Sequence, residues 1–247
     1  MTIKAFIFDF IGTLTLVKNY SLENSEKNLY EAIKEAGFKI NSEEFFKAYN
    51  QAQQKYREIR YQKLVEVTNA VWVSEALNNL GFKTKPEDST VKTAVNMFFV
   101  DYLNSLKLRP CAKSLLNALS KNYKLGLISN FTYAPVIYAG LRKLKINSYF
   151  NAVLVSEALG WRKPHRKIFE AALKKLNVKN YETVYIGDSP LEDIKGAKSL
   201  GIHTIFIQSQ FYSFKHLRES GQKPDFAVHS LCELHKLYNE GLTENLS

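Results

Sequence analysis

Only two cysteines, Cys111 and Cys232, occur in 247 residues, and they lie far apart. Such a pair offers neither a disulfide framework nor a metal-ligand spacing, so two reduced intracellular thiols are expected. No apolar run approaches the length of a membrane span. The start of the chain has no leader pattern, because Lys4 runs at once into a short apolar stretch ending on an acid. A soluble cytoplasmic protein with no membrane partner is therefore expected. There is no internal repeat and no low-complexity tract. A dense basic run interleaved with aromatics is also missing, although the net charge is +10. The lysines are scattered over solvent-type positions, among them Lys27, Lys34, Lys92 and Lys174. That spacing argues against nucleic acid and fits a small anionic substrate, such as a phosphorylated metabolite.

A hydrophobic content of 45% is enough for a real core, and the length suits one large domain or a core with an insertion. The organising stretch is Ala5-Phe6-Ile7-Phe8-Asp9-Phe10-Ile11-Gly12-Thr13-Leu14. Its apolar run reads as a strand buried on both faces. Asp9 ends the run, and Gly12 lets the chain turn away sharply. An acid at the carboxyl end of a buried parallel strand stands where open α/β sheets bind ligands, although Asp9 as a mere turn cap is the competing reading.

From about Tyr20 to Leu106 apolar residues recur at helical spacing in four blocks. Leu22, Leu29 and Ile33 mark the first, which stops at Gly37. Phe45, Phe46, Tyr49, Ala52 and Tyr56 mark the second, with Ser42 as its expected cap. Trp72, Ala76 and Leu77 mark the third, and Val91, Val95, Phe98 and Phe99 the fourth. Four such stripes can close on one another as a bundle. Exposed aromatics among Tyr56, Tyr61 and Trp72 leave room for a homodimer beside a monomer. After Arg109-Pro110 short apolar runs alternate with helical stretches: 125–128, 152–155, 184–186, 203–207 and 226–228. This rhythm predicts an α/β fold, a Rossmann-like parallel sheet core with helices on both faces. The first strand belongs to that sheet, so the helical block is an all-α bundle inserted as a cap. The predicted division is a core of 1–14 and 107–247 and a helical cap of 15–106, placed as a lid over Asp9. Residues 209–224 read as a polar surface loop.

Asp9, Ser129, Lys163 and Asp188 fall at strand ends or in the loops after them, and one sheet edge would gather them. Singly, each has an ordinary reading: Ser129 and Asn130 as helix caps, Lys163-Pro164 as a solvated turn, and Asp188 and Asp193 as helix-start acids. Together they resemble the haloacid dehalogenase superfamily, most of whose members are magnesium-dependent phosphatases. Asp9 to Leu14 is similar to the family's nucleophile motif, Leu127-Ile128-Ser129-Asn130 to its second, Lys163-Pro164 to its third, and Gly187-Asp188-Ser189 with Asp193 to its fourth. The insertion point of residues 15–106 is similar to that of the family's helical caps.

The resemblance implies Asp9 as nucleophile, Thr13 as a residue steadying the site, and Ser129, Asn130 and Lys163 as phosphate-binding. It also implies Asp9, the Ile11 carbonyl, Asp188 and Asp193 around Mg²⁺. Elementary electrostatics points the same way: two carboxylates 4 Å apart repel by about 4 kcal/mol at an effective dielectric of 20, and a divalent cation removes that repulsion. One position departs from the pattern. Two residues after the nucleophile most family phosphatases carry a second Asp that protonates the leaving alcohol; here it is Ile11. General acid–base help is worth roughly 10²–10⁴-fold. A phosphatase acting on good leaving groups, a metal-independent 2-haloacid dehalogenase with Arg57 or Arg60 holding the substrate, and a non-catalytic binding or regulatory protein all accommodate that change. The dehalogenases of the family lack the metal acid that Asp188 resembles.

Overall fold

The computed structural model describes residues 2–242 and 244. Strand β1, Ala5–Phe8, is buried throughout. Its side chains alternate between two faces, Phe6 and Phe8 on one and Ala5 and Ile7 on the other, and each pair enters a different apolar cluster. The strands β4 (Lys124–Ser129), β5 (Ala152–Val155), β6 (Thr183–Gly187), β7 (His203–Ile207) and β8 (Phe226–Val228) join β1 in one sheet. Its order is β5-β4-β1-β6-β7-β8, and every pairing is parallel. The first strand therefore lies inside the sheet, and the strand order reverses beside it, which opens a crevice at the carboxyl ends of β1, β4 and β6.

Helices cover both faces, as parallel sheets require. On the Phe6 face lie α5 (Ala112–Leu119), α6 (Ala134–Lys143) and α11 (Leu231–Asn239). On the Ile7 face lie α8 (Arg166–Leu176) and the short α9 (Lys195–Lys198). The short helix α7, Ser156–Leu159, follows β5.

Between β2 (Thr15–Val17) and β3 (Leu106–Leu108) run four helices: α1 (Leu22–Glu35), α2 (Ser42–Lys63), α3 (Asn69–Asn79) and α4 (Ser89–Ser105). They pack as the pairs α1·α4 and α2·α3 around a cluster of their own that includes Leu29, Phe45, Tyr49, Trp72 and Val95. The cap of α2 is Asn41, one residue before the expected Ser42; its side chain accepts from the Glu44 N–H at 2.8 Å. The helices are continuous with the sheet layer through Phe99, whose ring stacks on Tyr133 at 5.6 Å.

Three expectations are corrected, and one element was not expected. Cys111 and Cys232 are not free thiols but a disulfide, because α5 and α11 pack side by side and bring their Cα atoms to 5.1 Å. A reducing compartment cannot be argued from thiols that are bonded. Residues 209–224 are not wholly loop: Phe214–Ser220 forms α10, held by Leu217 against Phe206 and Ile194. Trp72 is buried in the helical cluster and is no surface aromatic, whereas Tyr61 is exposed. The β2–β3 ribbon, which carries the chain out to the helices and back, is antiparallel and unforeseen, since three-residue strands show no periodicity. No helix among the described residues is long and apolar enough to cross a membrane.

Candidate active site

The β1 ladder runs one residue past the strand, with the Asp9 N–H donating to the Ile186 carbonyl at 2.9 Å. This aims Asp9 into the crevice. The chain then doubles back: Leu14 and Thr15 N–H both donate to the Phe10 carbonyl, and Gly12 N–H to that of Thr15. Gly12 holds φ at +97°, and a Cβ there would stand 2.2 Å from Asp188 Oδ2, so only glycine fits. Gly187 is constrained likewise, since a Cβ would fall 2.4 Å from Asp193 Cγ. Asp193 lies in a π-helical turn, Pro190–Ile194, that follows Asp188.

Asp9, Asp188 and Asp193 converge, one ligand oxygen from each lying within 4.8 Å of the others, and all three are buried. Lys163 Nζ, itself buried, sits among them. It donates to Asp9 Oδ1 at 2.8 Å, Asp193 Oδ1 at 2.6 Å, Tyr185 Oη at 3.0 Å and the Ile128 carbonyl at 3.3 Å. Burial opposes the Lys163 charge, but Asp193 and Asp9 hold its pKa well above the ordinary lysine range. One cation does not satisfy three acids. Burial pushes Asp9 up to about 6 against the pull of Lys163, and burial with the charges of Asp9 and Asp193 drives Asp188 well above the usual carboxylate range. Asp9 Oδ2, Asp188 Oδ2, Ser129 Oγ and Thr13 Oγ1 are buried without a hydrogen-bond partner among the described residues. Such orphaned atoms are costly unless something occupies the space between them. A cavity of about 240 Å³ opens there, lined also by Ile11, Phe211 and Tyr212. An all-oxygen set of three acids, with room for water, fits a hard divalent cation rather than a softer metal.

The structure thus brings Asp9, Thr13, Ser129, Lys163, Asp188 and Asp193 to one place. Asn130 lines the same cavity, and its side chain is engaged with the Lys163 backbone. Its Oδ1 accepts the Lys163 N–H at 2.7 Å, and its Nδ2 donates to the Lys163 carbonyl at 2.9 Å and to Glu192 at 3.0 Å. Glu192 in turn accepts from Arg162 at 2.9 Å. Asn130 thus braces the lysine's backbone. Ile11 puts an apolar side chain into the cavity lining. Arg60 pairs with Glu66, its guanidinium engaged away from the three acids, while Arg57 is exposed on α2. Sequence reasoning passed over Tyr185, whose hydroxyl donates to Asp193 Oδ1 at 2.9 Å. The available signal was a phenol inside the apolar run 184–186, since a buried tyrosine hydroxyl needs a partner.

A family model for haloacid dehalogenase-like hydrolases matches residues 3–201. The chain belongs to that hydrolase family. Among curated relatives of this family member is a glyceraldehyde 3-phosphate phosphatase of Methanopyrus kandleri, 29% identical over 94% of this chain and 95% of that one. A protein of the same name from Methanocaldococcus jannaschii is 35% identical over about half of each chain, 49% and 52%. The pyrimidine 5'-nucleotidase YjjG of Escherichia coli is 29% identical over 74% of this chain and 81% of its own. Among solved structures, a 2-haloacid dehalogenase of Pseudomonas syringae superposes with a TM-score of 0.72 at 22% identity, covering 97% of this chain and 99% of that one, a likeness of fold.

Proposed function

We propose that this hydrolase is a Mg²⁺-dependent phosphatase of a small phosphorylated metabolite, with residues 15–106 as a helical cap over Asp9. The observation that carries this reading is the set of three buried acids around a single lysine, with Asp9 Oδ2 and Asp188 Oδ2 unpaired. Asp9, Asp188, Asp193 and the Ile11 carbonyl would hold the ion, which when bound offsets phosphate charge and keeps the acids ionised. Asp9 attacks phosphorus; the new O–P bond replaces the ester O–P bond, whose electron pair leaves with the alcohol oxygen, and that oxygen takes a proton from solvent. Water then adds to the aspartyl phosphate phosphorus, the bond to Asp9 breaks to regenerate the carboxylate, and the water's proton returns to solvent with the phosphate. Lys163 holds Asp9 in line and neutralises phosphate charge, and the Ser129 hydroxyl donates to a phosphate oxygen. Asn130 acts through Lys163, keeping its backbone in place. The phosphatase names of the curated relatives support the same class of substrate.

Ile11 favours a second reading, a metal-independent haloacid dehalogenase, because a departing halide needs no proton. The acid cluster weighs against it, since Asp188 makes no direct ion pair among the described residues and burial with Asp9 and Asp193 disfavours its charge. Turnover of p-nitrophenyl phosphate and glyceraldehyde 3-phosphate is expected with Mg²⁺ and is expected to stop with EDTA. Halide release from 2-chloropropionate in EDTA, with no phosphate release under any divalent metal, would overturn the proposal. In Ile11→Asp the added acid should raise alkyl-phosphate turnover about tenfold or more and aryl-phosphate turnover less, given the 10²–10⁴-fold range of proton donation. Equal gains on both would remove the leaving group from the explanation.

A further inference from the structure

Arg109 stands where the chain returns from the helices to the sheet, immediately after β3. Its backbone N–H donates to the Leu14 carbonyl at 3.0 Å, which seats it against the turn after Asp9. Its guanidinium then spans two loops. Nη1 donates to the Gly12 carbonyl at 2.7 Å and, more weakly, to that of Thr13 at 3.4 Å; Nη2 donates to the Gln208 carbonyl at 2.8 Å. Gln208 lies just past β7, and the next residue, Ser209, uses its hydroxyl to receive the Phe211 and Tyr212 N–H groups. Phe211 and Tyr212 line the same cavity as Asp9.

We infer that Arg109 is a positioning residue for the reaction, locking the Asp9–Thr13 turn to the loop after β7 so that Asp9 and Asp188 keep their spacing. Between Gly12 and Asp188 there is no room even for a Cβ. A carbonyl anchored at 2.7 Å by a half-buried cation leaves that turn little room to drift. Displacement of about 1 Å at a reacting group can cost 10²-fold in rate. A planar fork reaches two carbonyls from separate loops at once; a lysine ammonium on a flexible stem does so poorly. None of these bonds touches the space where a substrate would sit, and Arg109 does not line the cavity, so its hold on Asp9 runs through the turn, beside the long-range attraction between its charge and Asp188.

This inference rests on the phosphatase reading, and its test separates the two. Arg109→Met keeps the aliphatic bulk, and Arg109→Lys keeps the charge with one bond. For Arg109→Met, kcat on p-nitrophenyl phosphate should fall 30-fold or more with KM changed less than threefold, by the displacement scale above. Arg109→Lys should fall between that variant and the parent. Amide hydrogen exchange at residues 10–14, read without substrate or metal, should speed up tenfold or more in Arg109→Met, while exchange in β4 stays unchanged. If the parent protein turns over no phosphate ester but the exchange result holds, the phosphatase reading fails and the anchoring role stands. Unchanged exchange at residues 10–14, a kcat loss below twofold, or equal losses in both variants would overturn the role of Arg109. So would losses that merely follow the folded fraction.

Discussion

Buried carboxylates occur in two regions of this molecule, and they are treated in opposite ways. At the junction between the helices and the sheet layer, the side chain of Glu66 is wholly buried and fully answered. It pairs with Arg60, accepts the Ser156 hydroxyl at 2.6 Å and receives the Val67 N–H at 3.3 Å. Around it the chain forms a short antiparallel bridge, Val65 with Trp161, flanked by Glu66 N–H to the Gly160 carbonyl and Arg162 N–H to that of Leu64. Tyr61 lies over the Arg162 guanidinium at 4.3 Å. At the carboxyl edge of the sheet, three acids have one lysine among them, which pairs with Asp9 and Asp193, and Asp9 Oδ2 and Asp188 Oδ2 have no hydrogen-bond partner among the described residues. A satisfied buried charge holds parts together; an unsatisfied cluster is where the proposed cation and substrate would find their partners.

The sharpest way to break this contrast is substitution on each side. Asp9→Asn should lower phosphatase turnover by at least about 10³-fold, because it removes the nucleophile. The same change should raise the metal-free protein's stability by about 1 kcal/mol, a few degrees in Tm, because one crowded charge is gone. A fall in Tm would mean that Asp9 is structural. Glu66→Ala should do the reverse. Thermal or denaturant unfolding should show a loss of about 3 kcal/mol, since Arg60 and Ser156 lose their partner. Turnover by the folded fraction should decline far less than in Asp9→Asn. Comparable losses of activity from both would erase the distinction.

Proton linkage sharpens the comparison further. Asp9 has its folded pKa raised from the ordinary carboxylate value to about 6. The folded state therefore binds its proton more tightly than the unfolded chain does. The stability this contributes is complete below the unfolded carboxylate value and is lost as pH rises through about 6. Asp188 shifts in the same direction. Metal-free protein should accordingly gain Tm on going from pH 7 to pH 5, and Mg²⁺ should flatten or reverse that trend; a pH-independent Tm without metal would contradict the crowding. The smallest expected effect is Tyr185→Phe, which deletes one hydroxyl from the Lys163–Asp193 bridge. About 1 kcal/mol of stability and a loss of turnover within tenfold are expected, read by denaturant unfolding and steady-state kinetics.

Much of the fold lies in local signals. The alternating apolar runs, the helical stripes of residues 22–103 and the acids at the ends of β1 and β6 all stand in sequence order. Neighbouring residues decide strand and helix, and a parallel sheet puts every strand's carboxyl end on one edge. Strand direction alone therefore puts Asp9, Ser129 and Asp188 on the same edge. The rest depends on pairs that no spacing reveals. Cys111 meets Cys232 only because α5 packs on α11, Asn130 turns to the Lys163 backbone, Tyr185 reaches Asp193, and Arg109 bridges Gly12 and Gln208. Local periodicity and strand direction are enough to call for the parallel sheet, the helical block and the residue types available for chemistry, though not for α10 or the β2–β3 ribbon. Which buried polar atoms find partners and which do not emerges from the packed fold, because hydrogen-bond satisfaction is set by contacts between segments distant along the chain.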